Sequence, residues 1–311
     1  MEGGPASAIE RVWTTVLADP RSALERDLDP SDLGTLLMEL SRVRASAVSP
    51  ARLMQRWSDD RYVRPSSSDP RKLWRVESLL WEMLPAHFDG VDLSPLTPLA
   101  TCSGVALVDQ NRVISTTRGT EVVSDPTNVL ALEAAIRRKR NRAQPIHLAA
   151  CHRVIRAQPF EGEGLFQHFR LFALVSSARD RGSASTEADL LVSHLRFWID
   201  TITAIAPDAS VTAEFSPFDS PVLEERFHDT VLQALEPVPE RVRVRLDANR
   251  RRARRYYATG AIRLEVDGRE IGDGGFTDWT AKLMVDNKER CLISCVATER
   301  LAAIADRQTQ Y

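Results

Sequence analysis

Arg250-Arg251-Arg252-Ala253-Arg254-Arg255-Tyr256-Tyr257-Ala258-Thr259-Gly260, followed by the run Ala261-Ile262-Arg263-Leu264-Glu265-Val266 and by Glu270-Ile271-Gly272-Asp273-Gly274-Gly275-Phe276-Thr277-Asp278, is the stretch on which the fold turns. The run over 261–266 is short, β-branched and bounded by turn formers, which predicts a strand and not a helix. Working outward, residues 242–246 and 291–296 read as strands on either side of it, and 146–155, 169–177, 105–108 and 113–116 as further strands. Residues 128–136, 187–199 and 221–235 have helical spacing, and a helix built on Leu73, Trp74, Val76, Leu79, Leu80 and Met83 is stopped by Pro85. Strands that follow one another without strict β-α alternation predict an α+β fold: an antiparallel sheet flanked by helices, not a Rossmann sheet.

The N-terminal region is different in kind. Leu33, Leu36, Leu37, Leu40 and Val43 recur at helical spacing after the start signal Asp29-Pro30-Ser31-Asp32, and Ser49-Pro50 opens a second helix through Leu53, Met54 and Trp57. Pro65-Ser66-Ser67-Ser68-Asp69-Pro70 reads as a linker. The expected organisation is therefore a helical extension over 1–69 and a mixed domain over 70–311. The 311 residues carry a formal net charge of −2, which gives no general attraction to nucleic acid or to anionic membranes. No apolar run approaches the roughly 20 residues that span a bilayer, and Met1-Glu2-Gly3-Gly4-Pro5 does not open a secretory signal. Four cysteines in a chain of this length make no disulfide framework, so the expected location is cytoplasmic.

Four segments carry chemistry. Ser124-Asp125-Pro126-Thr127-Asn128 offers a carboxylate and a hydroxyl at a helix start, a pair suited to an ammonium group and also an ordinary helix cap. Val154-Ile155-Arg156-Ala157-Gln158-Pro159 leads through a glycine-containing loop to His168-Phe169-Arg170-Leu171-Phe172. The third is the arginine, tyrosine and glycine stretch quoted above. The fourth, Cys291-Leu292-Ile293-Ser294-Cys295-Val296-Ala297-Thr298-Glu299-Arg300-Leu301, is a strand running into a helix.

In this order the four segments resemble the catalytic core of class II aminoacyl-tRNA synthetases, most closely the histidyl branch. The resemblance implies ATP-dependent activation of an amino acid, with Mg2+, through an aminoacyl adenylate. It assigns Asp125 and Thr127 to the substrate's α-ammonium, and Arg156, Arg252 and Arg300 to the catalytic cations. Tyr257, Gly274 and Gly275 go to the substrate pocket, and Arg156, Gln158, His168, Phe172 and Arg300 to ATP. Phe172 is preferred over Phe169 as the ring under adenine, because the distance onward to Glu187 then fits. Under that register the positions that read an imidazole fall near Leu174 and Ala178, so a smaller or more apolar amino acid than histidine is expected. Departures are Gln158 for a glutamate, Arg255 for an aspartate, Phe276-Thr277 for Arg-Tyr, and Ala297 for a glycine. The sequence ends ten residues after the fourth segment, so no anticodon-binding domain is expected. The acceptor is then a carrier protein, a small molecule or a tRNA-like donor. The resemblance further implies a homodimer, and a non-catalytic paralogue acting as a regulatory or amino-acid-sensing subunit is the alternative.

Three weaker features are expected to be structural. Eight arginines between Arg241 and Arg255 face only Asp247, and suit a solvated face as well as an anion site. His147, Cys151 and His152 lie close in sequence, but strand alternation sends Cys151 and His152 to opposite faces, so no metal site is expected. Cys291 and Cys295 share a strand face and read as core.

Overall fold

The computed structural model describes residues 8–18, 20–158, 166–248, 250, 254 and 256–308. Its helices are α1 (Ala8–Ala18), the single turn α2 (Pro20–Ser22), α3 (Pro30–Ser46), α4 (Pro50–Asp59), α5 (Pro70–Glu82), α6 (Thr101–Val105), α7 (Pro126–Arg140), α8 (Ser185–Ile205), α9 (Pro221–Arg226), α10 (Gln233–Leu235), α11 (Trp279–Met284) and α12 (Thr298–Gln308). The strands are β1 (Asp89–Gly90), β2 (Leu96–Pro98), β3 (Thr120–Val122), β4 (Ile146–Ile155), β5 (His168–Arg179), β6 (Val211–Pro217), β7 (Val242–Leu246), β8 (Gly260–Val266), β9 (Arg269–Thr277) and β10 (Glu289–Ala297). Six helices begin with proline directly after a polar residue; at five of them the cap is described, and there Asp29, Ser49, Asp69 and Asp125 accept backbone N–H groups, while Ser220 does not. The fixed φ of proline and a capping oxygen set these starts locally.

Eight strands form one sheet in the order β1-β4-β5-β10-β9-β8-β6-β7. The six central strands pair antiparallel, and the two edge pairs, β1 with β4 and β6 with β7, are parallel. This is the expected α+β architecture. One sheet face, carrying Phe172, Leu174, Leu292, Val296 and Phe276, packs on Leu191, Leu195 and Trp198 of α8. The other, carrying Leu148, Ala150, Ala173, Val175 and Ile293, packs on Leu130, Ala131 and Ala134 of α7. Helix α7 covers only part of its face, and the uncovered remainder holds the cleft described below. Among the described residues no helix is long and apolar enough to cross a membrane.

Two sequence expectations about elements change. Residues 105–108 are not a strand, since Val105 ends α6 and Leu107 sits at φ 55°, and 113–116 keeps only an isolated bridge from Ser115 to Glu121. Strand β6 went unread, although Val211, Ala213 and Phe215 alternate into the core. The glycine-bearing segment forms strand β9. Its glycines let β10 and β8 approach: a Cβ on Gly274 would lie 2.4 Å from the Ile293 carbonyl oxygen.

The N-terminal helices have a small core of their own, made by Val12, Val16, Ala23 and Leu36. The segment between α4 and α5 touches the ends of β4 and β5. There the Tyr62 hydroxyl donates to the Ala157 carbonyl at 2.8 Å, and His168 Nε2 meets the Arg64 carbonyl at 2.7 Å.

Candidate active site

Asp125 caps α7. Its Oδ1 accepts from the Thr127 N–H at 3.0 Å and from the Thr127 hydroxyl at 2.7 Å, which fixes both side chains at the helix mouth. Arg156 follows the last residue of β4. Its guanidinium donates to the Ser124 carbonyl at 3.3 Å, lies 3.4 Å from Asp125 Oδ2, and stacks over the Phe169 ring at 5.2 Å. Across the cleft, the Tyr257 hydroxyl donates to Asp273 Oδ2 at 3.0 Å, and Tyr256 stands edge-on between Tyr257 and Trp279. The β9–β10 register sets Asp273 opposite Cys295.

These groups line a cleft with two lobes. The first, of about 290 Å³, is lined by Asp125, Thr127, Asn128, Gln158, Tyr257 and neighbours including Cys102 and Arg112. The second, of about 340 Å³, is lined by Phe169, His168, Glu270, Glu299, Arg300 and Ser66 among others. Arg156, Asp273 and Cys295 line both lobes. Burial raises the carboxyl pKa of Asp273, with the charges of Asp125 and Glu270 adding to the effect and the Tyr257 hydrogen bond opposing it. Burial also pushes the Tyr256 and Tyr257 hydroxyls and the Cys295 thiol well up, so these line the cleft as neutral groups.

Most of the residues expected from sequence come together here: Asp125, Thr127, Arg156, Gln158 and Tyr257 in the first lobe, and Arg156, His168 and Arg300 in the second. Arg252 and Arg255 lie outside the described residues. Phe172 is a correction. It is fully buried on the opposite face of the sheet, against Trp81, Phe197 and Trp198, and cannot meet a ligand in the cleft. Phe169, an odd number of residues away on the same strand, faces the second lobe instead. Leu174 and Ala178 share the buried face of Phe172, so the argument for an apolar substrate from those positions falls. Gly274 and Gly275 line neither lobe. A Cβ on Gly275 would sit 2.5 Å from the Tyr257 ring, so this glycine makes room for the tyrosine. Cys295 is not simply core, since it lines both lobes, whereas Cys291 is buried.

Sequence reasoning missed Asp273, Asn128, Tyr256, Cys102 and Arg112. Only Asp273 had a visible signal, a charged residue interrupting a glycine string. The arginines of β7 are compensated in part: Arg245 pairs with the buried Glu214, which Arg263 of β8 also engages. Among the described residues no cluster of three or more metal-ligating side chains exists. The second lobe still fits magnesium, which is held by one or two carboxylates plus a substrate's phosphates. Glu299 is engaged by the Arg170 N–H at 2.9 Å and lies 3.7 Å from Arg153, which leaves the exposed Glu270 as the better-placed carboxylate.

Solved structures match this chain over most of its length. The histidyl-tRNA synthetase of S. aureus aligns at a TM-score of 0.60 and 14% identity, covering 78% of this chain and 69% of that one. The fold is that of the class II aminoacyl-tRNA synthetase core. An ATP phosphoribosyltransferase regulatory subunit/histidyl-tRNA synthetase from Bacillus halodurans aligns at 0.57 and 12% identity, covering 78% of this chain and 83% of that one. Pyrrolysyl-tRNA synthetase from Desulfitobacterium hafniense aligns at 0.51 and 10% identity, covering 99% of this chain and 92% of that one. No family model and no curated protein matches the sequence. Within the class II core, the cleft lies on the sheet face that α7 leaves open, between the mouth of α7 and the ends of β4, β9 and β10.

Proposed function

We propose that this chain activates an amino acid with ATP, forming an aminoacyl adenylate and pyrophosphate. The observation that carries the proposal is one arginine shared by two lobes of different character. Arg156 stands between a polar lobe headed by Asp125 and Thr127 and a second lobe with an aromatic ring, Phe169, and a cation, Arg300. The α-ammonium would bind Asp125 and the Thr127 hydroxyl, and the α-carboxylate would bind Arg156. The adenine would lie on Phe169, with Arg300 toward the outer phosphates and Glu270 holding magnesium through them. A carboxylate oxygen attacks the α-phosphorus, the bond to the bridging oxygen breaks, and pyrophosphate leaves with that electron pair. No proton has to move and no protein nucleophile is needed, so the work is positioning and charge stabilisation. Arg156 would serve twice, drawing the two reactants together and neutralising the charge that grows on the phosphorus. By the resemblance, Arg252 would supply a further cation.

ATP–pyrophosphate exchange across a panel of amino acids tests this. Exchange with one of them establishes activation, and silence from demonstrably folded protein refutes it. The acceptor of the activated group would be a carrier protein, a small amine or a tRNA. We further propose a cytoplasmic homodimer, with residues 1–69 as a helical extension to a catalytic domain over 70–311. A second reading, a non-catalytic regulatory or amino-acid-sensing subunit, draws on Gln158, Arg255 and Ala297 in the places of the motifs' glutamate, aspartate and glycine. Amino-acid binding without pyrophosphate exchange would favour it.

A further inference from the structure

We infer that the first lobe selects an amino acid whose side chain ends in a cationic hydrogen-bond donor. The inference rests on the proposed amino-acid site and names its substrate class.

Two observations carry it. Asn128 is 2% exposed and lies in the wall of the first lobe; its amide nitrogen donates to Cys102 Sγ at 3.4 Å, but its Oδ1 has no partner among the described residues. A buried carbonyl oxygen left unpaired keeps its desolvation cost uncompensated, a cost a donor on the ligand removes. The second observation is Asp273. Among the described residues it has no ion-pair partner, and its one side-chain hydrogen bond there comes from the neutral Tyr257 hydroxyl.

Charge counting within the lobe points the same way. The lining charges are Asp125, Asp273, Arg156 and the exposed Arg112. A bound amino acid places its ammonium at Asp125 and its carboxylate at Arg156, and these cancel. What remains is an acceptor oxygen on Asn128 and a half-buried carboxylate on Asp273, with the exposed Arg112 at the rim and the charge of Arg250 acting on Asp273 without an ion pair to it. A side-chain ammonium satisfies both acceptors and returns Asp273 to its charged form, whereas a methyl group leaves Asn128 Oδ1 unpaired and Asp273 with the Tyr257 hydroxyl alone. A site with unmatched buried acceptors discriminates against an isostere that lacks the donor far more strongly than a pocket gains from an added methylene.

The test is equilibrium binding of free amino acids to the full chain, by calorimetry and thermal shift without ATP. L-lysine and L-ornithine are compared with L-norleucine and L-norvaline, which keep the carbon chain and lack the amine. The cationic members should bind at least tenfold more tightly, and Asp273→Asn should bring that ratio within about threefold of unity. Equal or tighter binding of norleucine by the natural chain overturns the inference, and that comparison needs no variant to fold. An unchanged ratio in a folded Asp273→Asn protein overturns it as well. Pyrophosphate exchange on the same panel separates the two ideas. Exchange with apolar amino acids alone sinks the cationic class and keeps adenylation. Tight lysine binding with no exchange keeps the class and sinks adenylation.

Discussion

Replacing Arg156 by alanine separates a residue of the reaction from a residue of the fold. In the ligand-free cleft its guanidinium is about one-third exposed and 3.4 Å from Asp125, and it stacks on Phe169. A partly exposed pair at that distance is worth about 0.2–1 kcal/mol, and an exposed cation–π contact about 0.5–1 kcal/mol. Asp125 is not orphaned by the change, because Thr127 still donates to it twice. With about 1 kcal/mol more for the hydrogen bond to the Ser124 carbonyl, the loss of stability should stay below about 3 kcal/mol, a Tm decrease of roughly 6 °C or less in a chain of this size. Activity should fall much further. Removing one preorganised donor from a developing oxyanion costs about 10²–10³ in rate, and Arg156 is asked to hold two anionic groups, so kcat/KM should drop by at least about 10³-fold, or roughly 4 kcal/mol. Arg156→Lys keeps the charge but not the planar fork and should fall between, near 10²-fold. Single-turnover adenylate formation and pyrophosphate exchange read the first quantity, and thermal unfolding reads the second. An alanine variant within threefold of the natural rate refutes the assignment; so does one that unfolds at ambient temperature, because it makes Arg156 a structural residue.

Three further tests address the site and its support. Phe169→Ala should raise the KM for ATP about tenfold with little change in Tm, whereas Phe172→Ala should cost about 3–5 kcal/mol in denaturant unfolding, since it empties a fully buried aromatic cluster. The reverse pattern would restore Phe172 to the nucleotide. Gly275→Ala forces a methyl against the Tyr257 ring and the Gly260 carbonyl, each 2.5 Å away, and should destabilise the fold by about 1–3 kcal/mol while weakening amino-acid binding by displacing the tyrosine; unchanged unfolding and binding would show that β9 and Tyr257 are not so tightly joined. Burial, with the neighbouring His87, lowers the His147 pKa from 6.5 to about 4, and the buried His194 is lowered well below 6.5. Between those values the unfolded chain binds protons that the native chain does not, so stability is full above about pH 6.5 and is lost as pH falls toward 4. His147→Gln should remove part of that acid sensitivity, measured as unfolding free energy at pH 7 and pH 5, and an identical pH slope in the variant would contradict it.

Local chemistry explains which parts of the site were legible. The Asp125–Thr127 cap is decided by three consecutive residues, and Arg156 is fixed by the end of a well-patterned strand, so both could be read directly. The choice between Phe169 and Phe172 could not. Both rings lie on one apolar strand of twelve residues, and alternation says only that they face opposite ways. Which face is cleft and which is core depends on where α7 and α8 settle. Asp273 was hidden for a similar reason: its meaning comes from a tyrosine 16 residues away in sequence and 3.0 Å away in space.

What the sequence by itself determined was most of the helices and five strands of the large sheet, because proline starts, capping oxygens and two-residue alternation act over a few neighbours. It also held the ordered motifs that announced the class II core. Tertiary structure alone decided that a glycine-bearing segment pairs as a central strand. It also decided that one sheet face stays partly uncovered, so that Arg156, Asp273 and Cys295 line two lobes at once. Those outcomes follow from long-range pairing and from the competition of helices for a sheet face, which no local stretch of sequence encodes.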